Sequence, residues 1–226
     1  MSWLGFTKWR PLEALAHDPG AAQAAVLRRL LRANQDTTFG RVHRFSTLGS
    51  PRAYQAQVPV QHYADLAPHL EAQRVTGTPA LTAEPPIFYA QTSGTTGTPK
   101  YVPVTRTMLR LYRDEQATFS YLQYRACPAA FDGAAFGVMG AATEGRLDSG
   151  HIVGSVSGQL YAALPRLLRR RLVVPPEVAE IGDYEQRYDV MLLLALASPR
   201  VTYMGSPNPS TFVRLLDRLA ARRDVL

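Results

Sequence analysis

Pro86-Ile87-Phe88-Tyr89-Ala90-Gln91-Thr92-Ser93-Gly94-Thr95-Thr96-Gly97-Thr98-Pro99-Lys100-Tyr101-Val102-Pro103-Val104-Thr105 is the stretch on which the fold of this 226-residue chain turns. It opens with an apolar and aromatic run bounded by proline, the pattern of a buried strand at Pro86 to Ala90. A Gly/Ser/Thr loop, Gln91 to Pro99, follows it directly. Tyr101 to Val104 is β-branched and aromatic, and Pro103 suits a strand end or a sheet edge. Thr105 then offers its hydroxyl as the N-cap of a helix predicted to reach about Ala126, with Met108, Tyr112, Phe119 and Leu122 near one face.

Downstream the alternation continues. Ala134 to Met139 reads as a strand, and the Gly/Ser-rich segment Gly140 to Gly158 leads to a helix near Gln159 to Arg170. Asp183 to Ala197 reads as a helix and Val201 to Met204 as a strand. Asn208 to Arg223 is a helix, with Asn208 as its cap and Pro209 at its first position. Upstream, Ala21 to Arg32 is helical, and Thr37 to Gly40 breaks the pattern with Phe39, Val42 and Phe45 as apolar anchors. Ser50-Pro51 opens a short helix, and Tyr63 to Arg74 is a helix predicted to be interrupted or kinked near Pro68. Strands alternating with helices predict an α/β fold, mostly parallel sheet with flanking helices.

The loop carries the chemistry. Gly94 and Gly97 let the backbone approach a ligand, while Ser93, Thr95, Thr96 and successive amides can donate to several oxygens at once. Lys100 adds charge, and the set fits a polyphosphate. Gly/Ser/Thr clusters also make plain surface turns, so the composition leaves both readings open. The spacing is not G-x-x-x-x-G-K-[ST], because Lys100 is followed by Tyr101 and the glycines lie too close; a kinase or GTPase of that class is not expected. One count favours the phosphate. Lys8 and Lys100 are the only lysines among 25 lysine and arginine residues. A compact ammonium makes a point contact with a phosphate oxygen, where a guanidinium favours a planar fork.

The loop T-S-G-T-T-G-T-P-K resembles the phosphate loop of the acyl-adenylate-forming superfamily. Its flanks narrow the likeness: Thr38-Phe39-Gly40 with Phe45, Val58-Pro59-Val60, Tyr63-Ala64-Asp65-Leu66, Val102-Pro103-Val104 and Pro175-Pro176-Glu177-Val178. This ordered set, from about Thr37 to the C-terminus, is similar to the auxin-responsive Gretchen Hagen family of acyl acid amido synthetases, its bacterial members in particular. The resemblance implies the N-terminal portion, residues 1–226, of a large ATP- and acyl-binding domain whose adenine-binding segment and small C-terminal domain lie beyond this chain. It further implies ATP-dependent adenylation of a small carboxylic acid, then transfer of the acyl group to an amine or amino acid. Ser93, Gly94, Thr95, Thr96 and Gly97 with Lys100 would hold the triphosphate, Lys100 would be the catalytic cation, and Mg2+ would accompany the nucleotide. Ser155 and Ser157, in G-S-V-S-G, fall where the family lines its acyl pocket. No protein nucleophile is implied, and Cys127 reads as an incidental buried thiol. An acyl-CoA-ligase type of adenylating enzyme, or an inactive fragment serving as a binding domain, remain open alternatives.

Composition bounds the rest. With 46% hydrophobic residues the chain is an ordinary globular one. Its longest apolar run, Val190 to Ala197, falls far short of the ~20 residues of a membrane span. No signal-peptide pattern opens it, so a cytoplasmic protein with no membrane partner is expected. One cysteine permits no internal disulfide, and the five histidines show no ligand spacing; no protein-held metal is expected. The +7 formal charge is scattered, and its dense cluster, Arg166, Arg169, Arg170 and Arg171, reads as a solvated helix end without aromatic interleaving; no nucleic-acid partner is expected. Glu144, Arg146, Asp148 and His151 share a polar segment read as a charged surface loop, with an acid/base cluster as the sharper alternative. The sequence does not address oligomeric state.

Overall fold

In this computed structural model, residues 1–92 and 99–223 are described, with the Thr92 side chain set aside. They form two compact units. The first comprises Ser2–Arg110 with Asp148–His151; the second comprises Leu111–Leu147 with Ile152–Leu226, joined by Met1.

The first unit begins with α1 (Ser2–Leu4), a π-helical turn Gly5–Trp9 and α2 (Arg10–Ala16). The long helix α3 (Pro19–Ala33) is started by Asp18, whose carboxylate accepts from the Ala21 N–H at 2.9 Å. Where a break was expected, α4 (Thr38–Val42) forms a further short helix. Its N-cap Thr37 is wholly buried and accepts from Gly40 N–H at 2.9 Å. A Cβ at Gly40 would lie 2.1 Å from the Asn34 carbonyl, so this turn requires glycine. Val42 is exposed rather than anchoring the loop. Ser50 caps α5 (Pro51–Gln57) as expected. Helix α6 (Tyr63–Thr76) runs through Pro68 to a left-handed Gly77. Its buried Gln73 accepts from the Leu81 and Thr82 amides and donates to Thr82 Oγ1, fixing the approach to the hairpin.

That hairpin consists of β1 (Pro86–Thr92) and β2 (Lys100–Thr105), paired antiparallel with Tyr89 opposite Pro103 and Thr92 opposite Lys100. Phe88, Tyr89, Ala90 and Val104 are buried, so β1 hides consecutive rather than alternate residues. Thr105 caps α7 (Arg106–Ala126) through the Met108 N–H at 3.2 Å, and the boundary between the units falls within this helix.

The second unit contains four short strands, β3 (Ala134–Gly137), β4 (Gly145–Arg146), β5 (Ile152–Gly154) and β6 (Val201–Gly205). β3 pairs parallel with β6 and bridges in parallel to Leu172, while β4 and β5 pair antiparallel. The expected helix over Gln159 to Arg170 is two, α8 (Val156–Ala162) and α9 (Arg166–Arg169), because Pro165 disfavours helical geometry at Leu164. Asp183 caps α10 (Tyr184–Ala197). The last helix, α11 (Ser210–Ala221), starts later than expected, and Asn208 accepts from the Ser210 N–H and hydroxyl in a turn just ahead of it. Phe136, Val138, Val173, Val174, Met191, Leu192 and Leu215 form the core between β3 and the helices α10 and α11. Cys127 is exposed, correcting the buried thiol expected: it directly follows the last turn of α7, at the surface. The mixed α/β class with sheet and flanking helices is the architecture observed.

Candidate functional site

The hairpin of the first unit positions the site. Cα pairing of Thr92 with Lys100 closes its neck, and residues 93–99 link the two strands in sequence. Ser93, Gly94, Thr95, Thr96 and Gly97, the expected phosphate donors, lie outside the described residues. Lys100 is described. It starts β2, is half-buried, and places its Nζ 4.8 Å from the centre of the Tyr63 ring. Tyr63 is the first residue of α6, whose start is fixed where the Asp65 carboxylate accepts from the His62 N–H at 2.7 Å.

Beside this pair an open groove of roughly 440 Å³ is lined by residues including Tyr63, Ala67, Leu70, Arg74, Pro99 and Tyr101. The two cations near it are held differently. Arg74 makes a fork to Glu71 (2.9 and 2.5 Å) and lies over the Tyr101 ring at 5.9 Å. Hydrogen bonding to Arg74 holds the Glu71 carboxyl below its usual range, and the same bond raises Arg74. Lys100, by contrast, has no carboxylate partner among the described residues. Among the described residues it meets an aromatic ring instead.

Behind the hairpin, the Tyr89 hydroxyl is buried with no hydrogen-bond partner among the described residues, and burial pushes its ionisation upward. His151 meets the Tyr89 ring edge-to-face at 5.6 Å, with its Nδ1 3.0 Å from Ser149 Oγ. The four residues considered for an acid/base cluster divide between the units: Asp148 and His151 belong to the first, Glu144 and Arg146 to the second. Among the described residues no group of three or more His, Cys, Asp and Glu is placed to hold a metal ion.

The acyl-side candidates Ser155 and Ser157 open α8. Ser155 caps the helix: its hydroxyl accepts from Gly158 N–H and donates to the Ala141 carbonyl, both at 2.9 Å. Ser157 Oγ accepts from Gly140 N–H at 3.4 Å. The glycines of G-S-V-S-G serve packing, since a Cβ at Gly154 would lie 2.0 Å from the Ala142 carbonyl oxygen and one at Gly158 2.5 Å from Ala141. Tyr203, on β6, is hydrogen-bonded to Gln123 at 3.2 Å. In the arginine cluster, Arg169 donates to the Ala162 carbonyl at 2.7 Å and lies 3.8 Å from Glu177, while Arg171 donates to the Phe131 carbonyl at 2.5 Å. These two arginines tie segments together. No helix among the described residues is long and apolar enough to cross a membrane. In the sequence Tyr63 stands out only within the flank Tyr63-Ala64-Asp65-Leu66, and no pattern in the chain signals a ring placed against a lysine on another element.

Several solved structures share this architecture, two acyl acid amido synthetases among them. The GH3.15 acyl acid amido synthetase superimposes with a TM-score of 0.77 at 21% identity, over 94% of this chain and 38% of that one. A second structure, the AtGH3.15 acyl acid amido synthetase in complex with 2,4-DB, gives 0.75 at 21% identity, over 88% and 35%. This chain therefore spans well under half the length of those relatives, and at such identity the likeness speaks for the fold. No curated protein matches the sequence. The model of the GH3 family N-terminal domain matches residues 8–226, nearly the whole chain. The chain belongs to the GH3 (Gretchen Hagen) family and represents its N-terminal portion.

Proposed function

We propose that residues 1–226 are the N-terminal portion of an ATP- and acyl-binding domain, and that the hairpin neck at Thr92 and Lys100 presents a triphosphate-binding loop. The observation that carries this reading is Lys100: a half-buried cation at the neck of a Gly/Ser/Thr loop, unpaired with any described carboxylate, in a chain with one other lysine. Hydroxyls and amides from Ser93 to Gly97 would hold the β- and γ-phosphates, and the ammonium would neutralise charge near them. Mg2+ travelling with the nucleotide would screen the same oxygens.

The reaction we assign is adenylation of a small carboxylic acid. A carboxylate oxygen attacks the α-phosphorus, pyrophosphate departs, and the acid becomes an acyl-adenylate with AMP as a good leaving group. Charge builds on the departing pyrophosphate, so preorganised donors and a fixed cation there lower the barrier. An amine, an amino acid by the family reading, then displaces AMP to give an amide. A complex with 2,4-DB is known for a similarly folded synthetase, which supports an organic acid as the substrate class. Ser155 and Ser157 remain candidates for the acyl side; Ser157 is the freer of the two, because the Ser155 hydroxyl caps α8.

The test pairs equilibrium ATP binding with exchange of labelled pyrophosphate into ATP across a panel of carboxylic acids. Wild-type protein should bind ATP, and Lys100→Ala should lower exchange by roughly 10²-fold, the scale of losing one preorganised charge partner. Failure of the wild type to bind ATP sinks the phosphate site. Binding without exchange for any acid confines the chain to a nucleotide-binding module.

A further inference from the structure

We infer that Tyr63 is the positioning residue for Lys100: its ring holds the ammonium at the neck of the hairpin with the positive charge intact. The inference rests on the phosphate-loop reading and adds to it a residue on a different element. Both partners have fixed backbones. Tyr63 is the first residue of α6, pinned by the Asp65 cap, and Lys100 is paired into β2 opposite Thr92. What freedom remains is in the two side chains, and the lysine has the greater share, about 2 kcal/mol of rotamer entropy. The 4.8 Å separation of Nζ from the ring centre lies within the range of a cation–π contact.

The chemistry distinguishes this arrangement from an ion pair. Arg74, on the same helix, is forked to Glu71, so its donors and its charge are already engaged. A ring face attracts an ammonium through its quadrupole without neutralising its charge, and the N–H donors that point away from the ring stay available. Lys100 can therefore rest on Tyr63 and still meet a phosphate oxygen on the opposite side. The Tyr63 hydroxyl has no part in this, which makes phenylalanine the conservative replacement.

The test exploits the two-lysine composition. Labelling lysine side chains with 13C at Cε gives two signals in solution NMR, from Lys8 and Lys100. The Lys100 methylene protons should be displaced upfield by the ring in wild type and in Tyr63→Phe, and should return to the Lys8-like position in Tyr63→Leu. Titrating ATP into the same samples should give a Kd raised roughly three- to ten-fold in Tyr63→Leu and nearly unchanged in Tyr63→Phe, the scale of one such contact. A Lys100 signal that is the same in wild type and Tyr63→Leu overturns the inference and leaves the phosphate reading standing. A displaced signal with equal ATP affinity in all three proteins also overturns it, since the ring then positions nothing. A displaced signal with no ATP binding by wild type overturns the phosphate reading and the positioning role with it.

Discussion

Tyr161 puts a hydroxyl inside the second unit, where it donates to the Val174 carbonyl at 2.8 Å. Burial favours the neutral phenol and pushes its ionisation from 10 up to about 12. The folded state thus holds this proton more tightly than the unfolded chain. Its contribution to stability is complete below pH 10 and is lost as pH rises from there toward about 12. Urea midpoints should accordingly stay level from pH 8 to 10 and fall above it. Tyr161→Phe should lower stability by about 1 kcal/mol at pH 8, having left the Val174 carbonyl without its donor, and should flatten the alkaline fall. An equally steep fall in the variant would show that Tyr161 does not titrate there. Individual residues differ in how far the sequence exposes them. Lys100 stands out because arginine fills nearly every other cationic position, whereas Tyr161 and Tyr63 sit among 11 tyrosines with nothing local to mark the interior carbonyl or the distant ammonium each one meets.

Between elements, α10 and α11 are joined by a charged clamp as well as by the core. Arg218 forks to Asp189 at 2.5 and 2.8 Å, Arg222 reaches the same carboxylate at 2.6 Å, and Glu185 also accepts from Arg218. Asp189 and Arg218 are mostly shielded from solvent, unlike a surface pair. Asp189→Ala removes the fork from Arg218, which keeps Glu185, and the contact from Arg222, and should cost about 2 kcal/mol in denaturant unfolding. Arg218→Lys keeps the charge but loses the planar fork, and should cost about 1 kcal/mol; equal costs for the two variants would rule out the fork as the source. Elements with local punctuation were legible. Thr105 before α7, Ser50 before α5 and Asp183 before α10 all cap as their residue types suggest, because a cap is a contact over three positions. The parallel pairing of β3 with β6 was not legible, since it joins segments separated by most of the second unit and neither carries a register signal. Pro165 could have been read as the break between α8 and α9, but the arginine- and leucine-rich residues around it favour helix.

At the scale of the whole chain, the loop proposed to bind phosphate stands out in the sequence because the residue types such a site needs are packed into one short segment. The contact of Tyr63 with Lys100 beside it depends on the fold, and no sequence period encodes it. What composition cannot reveal is where apolar surface is left uncovered. In the second unit, Leu196, Leu216, Leu219, Ala220 and Arg223 line an open groove of roughly 410 Å³ on α10 and α11, and Leu196 and Leu216 are each more than half exposed. Leu193 and Val213, on the same two helices, are also exposed. Contiguous apolar surface of this kind seeks a cover. The chain on its own should therefore bind a hydrophobic dye while folded and should sediment faster as its concentration rises. Replacing Leu196 and Leu216 together with glutamine keeps helix propensity close to that of leucine and removes two exposed apolar side chains. The double variant should lose most of the concentration dependence and the dye signal, with stability changed by no more than about 0.5 kcal/mol per site. A large loss of stability would instead mean that these leucines belong to the core. Unchanged sedimentation would mean that association, if present, uses another face, such as the exposed Leu167 and Leu168 of α9.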